Sequence, residues 1–560
     1  QLAGTDSGEP RTDAEVAAAL LRLYRERGAD SLVGLNGRYT VCVWDSEENS
    51  LYLMNDILGL MPVFLWQKAR SFAFGSNIWP IVCHPLFSKE IDPRGVVDLL
   101  LVSHQQANRT LLTDVSVLPP GSVTAIRGGK VTSRVARTLQ FSDQRWDWGI
   151  DTIADAMYSL LEQSVRRRMP QGAEVLLPLS GGFDSRVMLG LLARHSATPR
   201  AITQYTYGWL SEDARYAKRL ARRAGVAHET ILLPDDFLAA YRRKCVAISG
   251  GLYDIHTSRY LSLLANSRTD PILTVSGHLG GELTGRFHKS EAALLSPEEH
   301  FDLAFKEING FRFSPALVRR MLAGGAAKDL VDGALDECRQ FFLSHDGSHF
   351  QRFTNWDLCL YRRRFISFQL LYLEQLAPVI APFYDLDFAD FMCSLPFAAL
   401  QRQRAYREMI CRHLPSLARV RNTNDLPLVV TTRQVVEDFL GTQYRRFVRR
   451  PLNRLLRPRR WVPHPNLQYG FALSGQSRGV LDHLVANVDR MAPYLNPDQV
   501  RDAVNRQLDG DSSNSMGLLA LSAFVTTLEM LDDPYSAVRA WEDGEGPARA
   551  SDDCSERGDG

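Results

Sequence analysis

Residues Leu176 to Arg186 read LLPLSGGFDSR, and the fold turns on how that run is understood. A short apolar stretch ends in Ser180, two glycines and, after Phe183, the pair Asp184-Ser185. Upstream residues predict a buried strand and downstream residues predict a helix, so the run is a strand–turn–helix junction. It is either a plain tight turn or a phosphate cradle. Successive amides of a glycine turn point into a concavity, and the helix that follows adds its positive N-terminus. Glycine at 181 and 182 leaves room for phosphate oxygens. Ser180 and Ser185 add hydroxyl donors. Asp184 repels phosphate directly, and makes sense as a ligand for a Mg2+ that bridges to it. The chain contains no GxxxxGK[ST], so a P-loop lysine is not available, and a loop that holds pyrophosphate is the better expectation.

At 560 residues the chain exceeds one ordinary core, and two or three domains are expected. Apolar residues make up 45% and charged residues 23%, the balance of a globular protein. The 65 basic and 64 acidic side chains nearly cancel, so nothing global points to nucleic acid or a membrane surface. Eight cysteines lack CxxC or CxxH spacing, which fits a reducing cytoplasm and suggests neither zinc nor a disulfide scaffold. No uninterrupted run of 18 apolar residues and no charged-then-apolar leader is found.

The pattern along the chain changes near residue 145. An amphipathic helix is predicted from Asp13 to Gly28. RYTVCVWD, SLYLMND, VFLWQ and SFAFGS then predict a meander of short strands, followed by a helix near Pro93–His104 and two strands around Gly128-Gly129. From Asp151 onward strand and helix alternate: EVLLPLS, RAITQYTYG, HETILLP and PILTVSG are separated by helical stretches, the spacing of a doubly wound parallel sheet. Beyond Pro297 the pattern is almost wholly helical. The basic run Tyr444–Trp461 reads first as a solvated helix face, with an anionic partner as the alternative. The last twenty residues have little to bury, and disorder is expected there. The fold class is therefore α/β. A sheet-rich α+β region spans 1–140, a doubly wound domain 150–430, a helical extension 431–540 and a tail 541–560.

SGGFDS resembles the pyrophosphate loop of the ATP pyrophosphatases, and the flanking blocks narrow the likeness to the glutamine-dependent asparagine synthetases. TYG at Thr206–Gly208, SEDARYAKRLARRAG, GVAH at Gly225–His228 and APFYDLDFADFMCSLP follow in the family's order. The front end, from Thr12 through NDILGLMPVFL, GSNIWPIVCHPLFSKEIDP and LPPGSVTAIRGGK, is similar to the second half of the family's glutaminase domain, an Ntn-type fold. The resemblance implies a ligase that activates a carboxylate as acyl-adenylate, releases pyrophosphate and passes the acyl group to an amine. ATP and Mg2+ are the implied cofactors, and aspartate the default acyl substrate. It places Leu179 and Tyr207 beside adenine, Ser180, Gly181, Gly182, Asp184 and Ser185 on pyrophosphate, and Ser276 and Gly277 over ribose and α-phosphate. Asp184 and Glu282 are the implied metal ligands, and Asp13 a remnant of the glutamine site.

Three departures bear on that reading. The family's N-terminal cysteine is not in this chain, which begins at Gln1; both an upstream continuation and a true loss fit. The family's Ser-Gly-Glu-Gly-x-Asp-Glu loop stands here as SGHLGGELTG, with His278 in place of the glutamate that deprotonates the amine and Gly281 in place of a metal carboxylate. His278 is read equally as base or as packing residue. Thr423, in RNTNDLPL, stands where the family has its acyl-stabilising lysine, leaving Arg421 as the nearby cation. Specialised relatives are therefore weighed as alternatives: β-lactam synthetases, lasso-peptide cyclases, polysaccharide-cluster amidotransferases, or a nucleotide binder without turnover. The partners expected are small-molecule or peptide carboxylates and amines, with a homodimer allowed and neither nucleic acid nor membrane involved.

Overall fold

A computed structural model describes residues 13–142, 145, 147–170, 173–195, 198–205, 212–234, 236–263, 273–287, 290–325, 327–422, 428 and 478–542. Tyr207, Thr423, the basic run 444–461 and the tail from 543 lie outside the described residues.

The first half opens with the expected helix, Asp13–Arg27, closed by Gly28 at φ 75°. Seven strands follow: β1 Thr40–Asp45, β2 Ser50–Asn55, β3 Phe64–Lys68, β4 Ser71–Gly75, β5 Val115–Val117, β6 Ser122–Arg127 and β7 Lys130–Val135. They do not form one meander. β1-β2-β6-β7 make one antiparallel sheet and β4-β3-β5 another. Alternation along a strand states which face is buried but not which partner it finds, so the split between sheets is a long-range result. Gly128 and Gly129 turn β6 into β7 with φ of 57° and 77°, a left-handed pair that two-residue hairpins demand.

The second half carries a parallel sheet of β8 Glu174–Pro178, β9 Thr198–Tyr205, β10 Ala227–Leu232, β11 Leu273–Val275 and β12 Val379–Ile380, in the order β10-β9-β8-β11-β12. Helices Phe183–His195 and Glu212–Ala224 connect β8 to β9 and β9 to β10. The chain then crosses back through Phe237–Ser249 to lay β11 on the other side of β8. The order reverses between β8 and β11, so the loops leaving their carboxyl ends face each other at the switch point, the place where open parallel sheets form a ligand crevice. Among the described residues after β11, the one strand is β12, two residues long and invisible to any periodicity count.

One apolar core joins the halves. Phe64, Trp66 and Trp79 belong to the same buried cluster as Val246, Ile248, Phe368 and Leu518. Helix Ser515–Asp532 is long and apolar enough to cross a bilayer, with mean hydropathy 1.3, yet 83% of it is buried inside the protein. Polar contacts knit the same junction: Leu58 N donates to Tyr384 Oη at 3.1 Å, and Leu386 N donates to Asn36 Oδ1 at 3.0 Å.

Candidate active site

The crevice between β8 and β11 brings LLPLSGGFDSR against SGHLGGELTG. Leu179, at the end of β8, is fixed by its N–H on Ile202 O at 2.7 Å and by Thr203 Oγ1 donating to its carbonyl at 2.7 Å. The next three amides all donate to side-chain oxygens. Ser180 N reaches Ser185 Oγ at 3.1 Å, Gly181 N reaches Asp213 Oδ1 at 2.6 Å, and Gly182 N reaches Ser180 Oγ at 3.2 Å. Three successive amides thus donate at the start of the 13-residue helix Phe183–His195, one of them to a carboxylate.

The glycines of the β11 loop are required by contact. A Cβ on Gly280 would lie 2.6 Å from both Cγ and Oδ1 of Asp184, and one on Gly277 would lie 3.0 Å from Ser185 N. Two backbones therefore meet face to face, and Asp184 is enclosed between them. Desolvation pushes its carboxyl up to about 6; Arg286 opposes the shift, the charge of Glu282 adds to it, and Tyr406 Oη donates to Oδ1 at 3.1 Å.

His278 is brought to the same loop, and both its ring nitrogens are engaged. Nδ1 faces the Ser276 hydroxyl, and Nε2 lies 2.5 Å from Gln369 Oε1. Since the amide oxygen can only accept, Nε2 carries the proton and Nδ1 accepts from Ser276. Burial lowers the histidine's pKa, so it is neutral near pH 7. Glu282 lies 3.8 Å from Arg362 Nη1, and Arg362 Nε donates to Asp357 Oδ1 at 3.1 Å. Burial pushes Asp357 up to about 6, against the pull of that guanidinium. Arg421 is half-buried at the edge of the described chain, with its carbonyl accepting from Arg186 Nη2 at 3.1 Å. Asp13 is exposed on the first turn of its helix, in the antiparallel half.

Asp213, Tyr406, Arg362, Asp357 and Gln369 were not among the residues expected from sequence. Asp213 had a signal, since it sits in the SEDARYAKR block that follows the Thr-x-Gly strand end. The other four arrive from helices far along the chain and carry none.

The description "Glutamine amidotransferase domain" matches residues 5–137, and "Asparagine synthase" matches residues 156–532. Asparagine synthetase [glutamine-hydrolyzing] 3 of Bacillus subtilis is 25% identical over 301 residues, covering 50% of this chain and 47% of that protein. A putative asparagine synthetase of Mycobacterium tuberculosis is 28% identical over 232 residues, covering 40% and 35%. Asparagine synthetase B of Escherichia coli is 22% identical over 234 residues, covering 39% and 36%. The match to this chain thus spans about half the length, or less, of these curated relatives. With two antiparallel sheets under the amidotransferase match in front and the asparagine synthase match running through the parallel sheet into the buried C-terminal helices, the chain belongs to the asparagine synthase family.

Proposed function

We propose that this carbon–nitrogen ligase couples ATP cleavage to amide formation through an acyl-adenylate, with aspartate and ammonia as the default pair. A carboxylate oxygen attacks the α-phosphorus and the bond to pyrophosphate breaks. The amine nitrogen then attacks the acyl carbon, AMP leaves with the adenylate oxygen, and the nitrogen gives up a proton. The observation that carries this reading is the row of three amides at Ser180–Gly182 beside the enclosed carboxylate of Asp184. Those amides and the helix start would hold the charge that grows on departing pyrophosphate. For the phosphates to enter, Asp213 gives up the Gly181 amide, so it acts as an internal stand-in for the anion.

The donor set fits Mg2+, which needs only one or two carboxylates when phosphates and waters complete its shell. Asp184 would hold it, and Glu282 is the second carboxylate in range once released from Arg362. The ion, when bound, would neutralise phosphate charge. His278, neutral and with Nδ1 on the Ser276 hydroxyl, would take the amine's proton only if Ser276 turns away. The altered loop itself, with His278 and Gly281 in place of carboxylates, supports a second reading within the same chemistry, in which a specialised amine other than ammonia is the acceptor.

The test is pyrophosphate release from ATP and Mg2+ with aspartate and ammonia, alongside a panel of carboxylates and amines. Release dependent on Asp184 is expected. Absence of pyrophosphate and AMP with every carboxylate would refute the ligase reading, and release only with other amines would select the second.

A further inference from the structure

Away from the crevice, a group of buried cations at the junction of the two halves has no use in the chemistry above. A π-helical turn, Asp357–Arg362, leads into the helix Arg363–Glu374, and the three consecutive arginines part company there. Arg362 faces Glu282 and Asp357. Arg363 and Arg364, each 2% exposed, face the other way, onto the 103–108 loop of the antiparallel half. Both donate through Nη2 to one carbonyl, that of Ala107, Arg364 at 3.1 Å. Neither forms an ion pair among the described residues. Nε and Nη1 of Arg363 and Nε of Arg364 are buried with no hydrogen-bond partner.

A third guanidinium, Arg312, 8% exposed, donates to Ser103 Oγ at 2.8 Å and Tyr361 Oη at 3.0 Å, again to neutral groups. The carboxylates in electrostatic reach are Asp56, on Arg363, and Asp254, on Arg312; Asp56 is committed to Tyr384 and Asp254 to His256. His104, 1% exposed, lies among the three cations. Burial, with a smaller push from the three arginines, lowers it to about 3, so it is a neutral imidazole. Its Nδ1 is 3.1 Å from the Gln105 carbonyl and must carry the proton, which leaves Nε2 a buried acceptor with no donor. Gln105 Oε1 is a second unsatisfied buried acceptor.

Burying guanidinium charge without a counter-charge costs several kcal/mol per ion, and guanidinium does not deprotonate to escape it. Three orphaned N–H donors on fixed cations call for an oxyanion, the partner that a guanidinium fork fits. Two orphaned acceptors call for an oxyanion that still carries a hydroxyl. We propose that the junction at His104, Arg363 and Arg364 is a binding site for a hydrogen-phosphate-type oxyanion. Its unprotonated oxygens take the arginine donors and its P–OH donates to His104 Nε2 or Gln105 Oε1. The loop that would admit it holds Ser103 and Ala107 at φ of 69° and 49°, left-handed conformations uncommon for residues with a Cβ. The site lies outside the pyrophosphate loop and does not depend on the ligase reading.

The experiment compares melting of the whole chain in inorganic phosphate, sulfate and chloride at matched ionic strength, for the unaltered protein and Arg364→Met. The pyrophosphate loop is intact in both, so its contribution cancels in the difference. Phosphate is expected to raise the unaltered protein's Tm by about 1–2 °C per tenfold in concentration, well beyond sulfate, and to lose that increment in R364M. An equal response to sulfate or chloride, or an undiminished phosphate response in R364M, overturns the site. Should R364M fail to fold, arsenate soaked into crystals of the unaltered protein decides: an anomalous peak between Arg363 and Arg364 supports the site, and none there overturns it.

Discussion

At the scale of single residues, Asp184 is the group whose environment makes the firmest demands. Its folded carboxyl titrates at about 6, whereas an unfolded aspartate titrates near about 3.9. The fold therefore holds the proton more tightly than the unfolded chain does. That stability is fully present below about pH 4 and is lost as pH rises through about 6. Asp184→Asn removes the charge but keeps the shape. It is expected to unfold at the same denaturant midpoint as the unaltered protein at pH 4 and to be of order 2 kcal/mol more stable at pH 8. The same substitution is expected to cut pyrophosphate release at least about 100-fold. A variant that is both more stable at pH 8 and inactive shows a carboxylate kept charged for chemistry at the expense of stability; equal midpoints at both pH values contradict its enclosure. Gly280→Ala approaches the same contact from the other side. Its Cβ meets the Asp184 carboxylate 2.6 Å away, so activity is expected to fall with it, and a fully active G280A would show that the loops can part without consequence.

At the scale of elements, the loop and the chain beyond helix Arg404–His413 are tied together by Arg186, which is wholly buried beneath the turn. Its Nη2 donates to Gly181 O and Arg421 O, both at 3.1 Å, and its Nη1 to Val420 O at 2.7 Å and Leu417 O at 3.2 Å. No ion pair accompanies it among the described residues, and burial lowers its pKa to about 10. Arg186→Lys keeps the charge but spans fewer of the four carbonyls. It is expected to cost about 3 kcal/mol in urea unfolding and to raise the KM for ATP more than it lowers kcat. An unchanged KM would show that the strut supports the fold alone. How much of this was legible in sequence follows from range. β1–β4 and the helix Asp13–Arg27 are written in local alternation or 3.6-residue spacing, and the SGGFDS turn in what a backbone must do between strand and helix. β5 and β12, three and two residues long, are set by their neighbours. Arg186 occupies a helical position that reads as ordinary surface charge, and only the 417–421 segment folding back over it makes it a strut. His278 was open between base and packing; Ser276 takes its Nδ1, and Gln369, 91 residues later, takes its Nε2.

At the scale of the molecule, sequence divides the chain into domains, and one apolar core runs across the division. Trp79, 2% exposed and part of the antiparallel half, donates its Nε1–H to Ala247 O at 3.1 Å on the helix Phe237–Ser249 of the other half. Asn77 Nδ2 reaches the same carbonyl at 2.8 Å. A cluster that runs from Phe64 through Val246 to Leu518 cannot be opened on one side without wetting the other. Calorimetry of the unaltered chain is therefore expected to give one endotherm for both halves. Trp79→Ala opens a cavity in that shared core and leaves the Ala247 carbonyl with one donor fewer. A loss of about 3–5 kcal/mol is expected, with the single endotherm moving down as a unit. If the halves were independent, W79A would instead split the endotherm, shifting one component and leaving the other in place. The distinction matters for catalysis, because helix Arg363–Glu374, which carries Gln369 against His278, leans on this core. A single shifted endotherm would carry with it a lower temperature limit for pyrophosphate release, measured on the same W79A protein, although the hydrogen bond of Trp79 goes to Ala247, on a helix outside the two loops of the site.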